Sequence, residues 1–215
     1  MPEQNNHALW TPDNPQNTQM GLFKTYIEEH FGCPLNDYAA LHQWSINHYD
    51  LFWQSVWESS DIIFSQAPKN IATQGDLFHQ TKWFEGARLN YAENLLRRRD
   101  AHIAIVSILE NGDRRTFSYH ELHEHVSRIA QHFKSLGVGV GDRVAGIVPN
   151  TFEALVAMLA TSSVGAIWSS CSPDFGVNAA LDRFSQIEPT VLIGVDGYLY
   201  GGKVIDCRDK LIQLN

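Results

Sequence analysis

The residues best suited to chemistry fall in two loops of the second half of the chain. Gly197-Tyr-Leu-Tyr-Gly-Gly-Lys203 follows a β-rich run and satisfies the spacing G-x-x-x-x-G-K. A phosphate cradle of that form needs Ser or Thr next, because its hydroxyl ligates Mg²⁺. Position 204 is valine, and two tyrosines would crowd the backbone. What remains is a Gly201-Gly202 turn after a strand end. It presents Lys203, a point charge for a phosphate, and Tyr200, a ring that can lie against a purine. An ordinary exposed loop lysine explains the residues equally well. The second loop closes Gly165-Ala-Ile-Trp-Ser-Ser-Cys-Ser-Pro-Asp-Phe-Gly176. An apolar helix ends at Gly165, Ala166 to Trp168 read as a buried strand, and Pro173, Asp174 and Phe175 follow in a loop. Open α/β sheets hold ligands at the carboxyl ends of their strands.

Other groupings do not assemble into catalytic machinery. Cys171 sits beside that loop, but no partner can be assigned to its thiol and no serine lies in a G-x-S-x-G elbow. A small residue chosen for fit is the better reading. His120-Glu-Leu-His-Glu-His125 spaces its histidines three and two apart, whereas a helical zinc pair needs them four apart. A hydrated helix face accounts for them. Gly137-Val-Gly-Val-Gly141 follows a helix and precedes a strand, the reverse of a dinucleotide loop, and reads as a turn. No acid, base and nucleophile set emerges.

The elements that position these loops lie in the second half. Ile103–Leu109 is a β-rich run, Asn111-Gly112 signals a hairpin, and Arg115-Thr-Phe returns as its partner. Ser118 and Glu121 have capping-box spacing ahead of a helix with Leu122, Val126, Ile129 and Phe133 on one face. Strand Arg143–Val148, an apolar helix Phe152–Val164 capped by Asn150, a helix Asn178–Glu188 and strand Thr190–Val195 follow. The α-β-α-β-α-β order predicts a parallel sheet covered by helices on both faces. No closing helix is expected after the last strand, so the domain reads as incomplete.

The first part of the chain reads differently. Residues 1–17 form a polar arm anchored by Trp10. Three helical stretches follow, one over Thr18–Phe31, one with Leu41 and Trp44, and one with Tyr49, Phe52, Trp53 and Trp57. Residues 65–90 read as an irregular connector that touches the main body through Trp83 and Phe84, and Tyr91–Arg99 as a short helix. The expected organisation is a helical cap and connector over residues 1–99 and an α/β domain over residues 100–215.

Composition bounds the function. The 215 residues are 44% apolar and 19% charged, with formal charge −8, values ordinary for a globular protein. No basic stripe points to nucleic acid; Arg97 to Arg99 read as a solvated helix end. No apolar run is long enough to span a membrane. Three widely spaced cysteines suggest a reducing compartment, and the N-terminus lacks a signal pattern. The cytoplasm is the expected location.

Read together, the motifs resemble the N-terminal part of the acetoacetyl-type branch of the adenylate-forming acyl-CoA synthetase family. The resemblance rests on Trp83-Phe-Glu-Gly-Ala-Arg-Leu-Asn-Tyr-Ala-Glu-Asn94, Leu136-Gly-Val with Gly141-Asp-Arg-Val144, and Val148-Pro-Asn150. It continues through Ala157-Met-Leu-Ala160, Gly165 to Gly176, Asp182-Arg-Phe184, and Asp196-Gly-Tyr198 with Lys203. It implies an α/β fold, an N-terminal helical extension plus a partial parallel-sheet subdomain of the AMP-binding domain. It also implies an acid–thiol ligase that joins acetoacetate to CoA through an acyl-adenylate, using ATP and Mg²⁺.

In that family the adenylation parts lie largely beyond this segment: a Ser/Thr/Gly-rich loop ending in Pro-Lys, further nucleotide motifs and a lysine-bearing C-terminal domain. The nearest run here, Thr161-Ser-Ser-Val-Gly165, falls inside a helix, so these residues alone are expected not to turn over, and no catalytic or metal-ligating residue is assigned. One site carries over. Related enzymes hold the nucleotide end of CoA with an Arg-Gly-Gly-Arg turn, matched here by Tyr200, Gly201, Gly202 and Lys203; tyrosine for the first arginine loses a bidentate donor. The loop with Pro173, Asp174 and Phe175 aligns beside it. The resemblance leaves open a non-catalytic CoA- or nucleotide-binding module, or a synthetase for another short-chain acid. An unfinished sheet edge would favour a homo-oligomer.

Overall fold

The computed structural model describes residues 9 to 214; the first eight residues of the expected polar arm lie outside that range. The chain divides into two compact units, one ending at Leu89 and one beginning at Asn90.

The first unit carries helices α1 (Gln19–Phe31), α2 (Tyr38–Asn47) and α3 (Tyr49–Ser59). Thr18 caps α1 by accepting from the Gly21 amide, and Gly32 ends it in the left-handed region at φ 63°, a position glycine occupies without a Cβ clash. Ile27, Leu35 and Leu41 make its small core, with Phe23, Tyr26 and Trp44 packed around them. The connector is more regular than its sequence suggests. Strands β1 (Asn70–Thr73) and β2 (Lys82–Glu85) pair antiparallel. Trp83 packs edge-on against Tyr49 and Trp53 of α3, and Phe84 stacks on Trp57 at 5.1 Å. Those two aromatics, expected to reach the main body, thus fasten the hairpin to its own helix. Trp10, expected as an anchor, is 78% exposed.

The second unit opens with the short helix α4 (Tyr91–Leu95). Asn90 serves two helix ends at once: its Oδ1 accepts from the Glu93 amide, and its Nδ2 donates to the Ser162 carbonyl at 2.9 Å. The hairpin β3 (Ile103–Ile108) and β4 (Arg114–Ser118) forms around Asn111-Gly112 as the sequence predicts. Helix α5 (Tyr119–Ser135) then starts with the full capping box: Ser118 Oγ accepts from the Glu121 amide, and Glu121 Oε2 accepts from the Ser118 amide at 2.7 Å.

Strands β5 (Arg143–Ile147), β6 (Ile167–Cys171) and β7 (Val191–Gly194) form one parallel sheet in the order β6-β5-β7. Helix α6 (Phe152–Ser163) joins β5 to β6, and α7 (Val177–Ser185) joins β6 to β7. Two apolar clusters cover opposite faces. Val144 meets Phe133, Val156 and Leu159 in the larger; Ala145, Ile147 and Cys171 meet Ala180 and Phe184 in the smaller. Alternate residues of β5 feed opposite faces, as a strand buried on both sides must.

Three local readings are corrected. Thr151, not Asn150, is the N-cap of α6. The run at Ile167 is an edge strand rather than a buried one, because among the described residues β6 pairs with β5 alone, and Ile167 stays 54% exposed. A helix does follow the last strand: β8 (Gly197–Tyr200) and β9 (Lys203–Asp206) form a hairpin, and α8 (Arg208–Leu214) comes after it. The Leu211 side chain of α8 lies against Gly194, where a Cβ would fall 2.2 Å from it. That glycine gives α8 room to dock.

Candidate functional site

The Gly-Gly turn is built by the β8–β9 hairpin. Tyr200 pairs with Lys203 across a two-residue loop. Both loop residues hold positive φ, 57° at Gly201 and 73° at Gly202, as a type I′ hairpin turn demands. Any other residue would be strained there, so the glycines are required by the turn itself. Tyr200 and Lys203 are exposed on either side of it.

Successive amides in a left-handed turn converge into a nest that attracts anions. In this structure the nest is filled from within. Glu110, at the tip of the β3–β4 hairpin, accepts from the Gly201 amide at 2.9 Å and from the Gly202 amide at 3.4 Å. Sequence reasoning missed Glu110, because its neighbours Asn111-Gly112 account for the local turn and nothing local shows a partner 91 positions away. The arrangement offers an anion two amides and the Lys203 cation, against one resident carboxylate.

The second loop is arranged differently. Ser172 accepts from the Phe175 amide to close a turn. Pro173 is fully buried and Asp174 exposed. The Phe175 ring lies under the Arg183 guanidinium at 4.9 Å. Lys210 of α8 donates to the Pro173 carbonyl, and to the Phe175 carbonyl at 2.7 Å. So two of the three expected loop residues pack inward, and Asp174 alone faces solvent with its side chain. Burial first, then the Asp174 charge, push the Tyr198 hydroxyl of β8 above the usual tyrosine range. Lys210 was also invisible from sequence, since it lies in the helix that was not expected.

The remaining candidates resolve as packing. Burial pushes the Cys171 thiol up, against the weaker pull of Arg183 and Lys210, so it stays a thiol at neutral pH. Its neighbours are Ala180 and Phe184, which fits a residue chosen for size. His120 approaches Glu124 at 3.7 Å, and His125 packs edge-on against Phe152. Among the described residues no group of three or more His, Cys, Asp or Glu could hold a metal ion. The hydroxyls of Thr161, Ser162 and Ser163 donate to carbonyls three or four residues back within α6, so that run forms no phosphate loop. No helix among the described residues is long and apolar enough to cross a membrane.

Two side chains, Arg143 and Glu153, tie strands to neighbouring segments. Arg143 donates to the Ile187 carbonyl at 2.7 Å and the Glu188 carbonyl at 3.1 Å, fastening β5 to the turn that follows α7. Burial raises the Glu153 carboxyl, but the Arg115 hydrogen bond at 2.8 Å, the hydrogen bonds from its own backbone amide and from Thr151, and the Arg115 charge together outweigh it and hold the group below its ordinary range.

Residues 92–213 match the family model for AMP-binding enzymes, and residues 38–95 match the one for the acetyl-coenzyme A synthetase N-terminus. An acetoacetyl-CoA synthetase of Macaca fascicularis is 41% identical over 210 residues, 96% of this chain and 31% of that protein. A malonamoyl-CoA synthetase, vrtB of Penicillium aethiopicum, is 39% identical over 203 residues, 91% of this chain and 28% of that protein. The solved acetoacetyl-CoA synthetase from Streptomyces lividans superposes with a TM-score of 0.87 at 41% identity, covering 97% of this chain and 33% of that one. The chain therefore spans about a third of the length of the relatives it matches.

Proposed function

The chain belongs to the AMP-binding enzyme family, and from that premise we propose that it supplies the N-terminal region of an acid–CoA ligase acting on acetoacetate. The carrying observation is the likeness to acetoacetyl-CoA synthetases at 41% identity across nearly the whole chain, with the fold reproduced. The reaction activates the carboxylate with ATP and Mg²⁺ as an acyl-adenylate, which the CoA thiol then resolves. The residues here contribute scaffold and a CoA contact. Lys203 pairs with a CoA phosphate, the Gly201 and Gly202 amides supply donors once Glu110 moves aside, and Tyr200 offers a ring beside them. Asp174 borders the same region. The working location is the cytoplasm.

A second acid is favoured by one observation, the malonamoyl-CoA synthetase at 39% identity. Malonamate and acetoacetate are near-isosteres, with an amino group in place of a methyl group. A pocket reading only size would take both. A site with a buried acceptor would prefer the amide, whose N–H₂ it pairs, because an unpaired polar group costs about 1–3 kcal/mol.

Calorimetric titration of the chain with CoA tests the contact. Binding that weakens about tenfold in Lys203→Glu supports it; a folded chain that takes up no CoA discards it. The ligase reading is tested separately. A chimera carrying this chain in place of the matching third of the Streptomyces lividans enzyme is assayed for acid-dependent ATP–pyrophosphate exchange, with acetoacetate and malonamate compared. Acetoacetate-dependent exchange by the 215 residues alone would overturn the view that they are scaffold.

A further inference from the structure

We propose that Lys210 is a positioning residue for CoA. By holding the loop Pro173–Phe175 from below, it fixes the Asp174 carboxylate relative to the Tyr200–Lys203 turn, so that an acid and a cation meet different parts of the nucleotide end. The proposal rests on the CoA reading above and adds to it a residue that itself touches no ligand.

Lysine is mostly exposed in folded proteins, because its ammonium is strongly hydrated. Lys210 is half-buried instead. Among the described residues no acid pairs with it, and its Nζ is spent on backbone. It donates to the Pro173 carbonyl and, at 2.7 Å, to the Phe175 carbonyl, which lie 37 and 35 positions away in the chain. Bonds from a charged donor are stronger than neutral ones. The two carbonyls flank Asp174, so the backbone of Asp174 is held on both sides. The Phe175 amide donates to the Ser172 carbonyl, and the Phe175 ring packs against Arg183. The loop therefore presents one exposed acid on a fastened base.

The other end of the clamp is fastened to the hairpin. Cys207 alone separates β9 from α8. It is buried, and its amide donates at 2.8 Å to the carbonyl of Asp196, the residue before β8. Leu211 lies against Gly194, and Leu214 packs on the same apolar cluster as Phe175. Helix α8 is thus tied to the strands that carry Tyr200 and Lys203, and Lys210 is its polar link to the other loop. The Tyr198 hydroxyl of β8 is raised by burial first and by the Asp174 charge second, so the acid lies within electrostatic reach of the hairpin.

That spacing matters because CoA is anionic. Its phosphate gains from Lys203 and loses from an acid at the same place, whereas its N–H and O–H donors gain from the acid. Without the Lys210 ammonium, two carbonyls lose their donor, and the loop shifts to recover hydrogen bonds with water. Asp174 is then free to approach the phosphate.

The test uses the chimera with the Streptomyces lividans enzyme, with ATP and the acid saturating. Lys210→Met keeps the stem and removes the ammonium. It should raise KM for CoA about tenfold while kcat changes less than about twofold, as loss of a binding contact does. Lys210→Arg, which keeps the donors, should restore most of the affinity. Lys210→Gln, with its amide donors, should fall between the two and serves if Lys210→Met does not fold. Adding Asp174→Asn to Lys210→Met should recover part of the loss, a coupling that a merely structural role would not produce. In the chain itself, the Phe175 amide of Lys210→Met should exchange about tenfold faster. An unchanged KM for CoA in a folded variant overturns the proposal, as does a rise that Asp174→Asn leaves untouched. Lys203→Glu separates the two levels. If it raises KM for CoA while Lys210→Met does not, the CoA reading stands and this proposal alone falls; if both are silent, the contact is absent and both fall.

Discussion

Replacing Glu110 with glutamine should tighten the binding of phosphate-bearing ligands at the β8–β9 turn. The carboxylate accepts from the Gly201 amide at 2.9 Å and from the Gly202 amide at 3.4 Å. A hydrogen bond to a charged group contributes about 1.5–3 kcal/mol when protected. Here the partners are exposed and the longer contact is at the edge of useful geometry, so about 1 kcal/mol is the appropriate scale. An incoming phosphate must displace that contact and also sit near the carboxylate charge, which adds about 1 kcal/mol at 4 Å in water. Glu110→Gln reduces the first cost and removes the second. The expected gain is about tenfold in affinity, shrinking at high salt as the charges are screened. The assay is titration with CoA and with inorganic pyrophosphate, following heat and the Gly201 and Gly202 amide resonances. Lys203→Glu should move affinity the opposite way. If Glu110→Gln weakens binding while the hairpin resonances are unchanged, the carboxylate is part of the recognition surface and the competition argument is wrong.

The other predictions concern the scaffold. A Cβ at Gly146 would fall 2.5 Å from the Trp168 ring, so Gly146→Ala should cost about 1–3 kcal/mol in chemical denaturation, and the smaller ring of Trp168→Phe should recover part of it. Ser118→Ala removes the cap of α5 and should cost about 1 kcal/mol by the same measurement. Arg208 holds the Asp206 carboxyl down to about 2. A lowered carboxyl stabilises the fold above its unfolded value and loses that contribution as pH falls through the folded one; melting temperatures measured from pH 5 downward should fall less steeply in Asp206→Asn. The Glu58 hydrogen bond raises the Tyr26 hydroxyl to about 12. Its contribution is present below the ordinary tyrosine value of 10 and is lost as pH rises through 12, so Tyr26→Phe should flatten the alkaline limb of the same curve.

What the sequence revealed and what it hid divide along a physical line. The capping box at Ser118, the Asn111-Gly112 hairpin and the alternation of helices and strands from Tyr119 onward are local signals. Each is set by residues within a turn or two of one another, and each reappears in the structure. The misplaced features depend on partners far along the chain. The edge position of β6 follows from strand order, which no property of Ile167 or Trp168 encodes. The β1–β2 pair draws on aromatic contacts with α3, so its short strands carry no periodic pattern of their own.

The candidate site shows the same division at closer range. Gly201-Gly202 and Lys203 are readable because a two-residue hairpin loop constrains its own residues. Glu110 and Lys210 are not, since each acquires its role only when the hairpin β3–β4 and helix α8 are brought to the loops they serve. The consequence for function is directional. A cation beside a glycine turn invites the reading of an open phosphate site, whereas the folded chain presents that site already holding a carboxylate. Any ligand contact there is therefore an exchange of one anion for another. Its free energy is a difference between two similar terms, and changes at Glu110 should tune affinity as effectively as changes at Lys203.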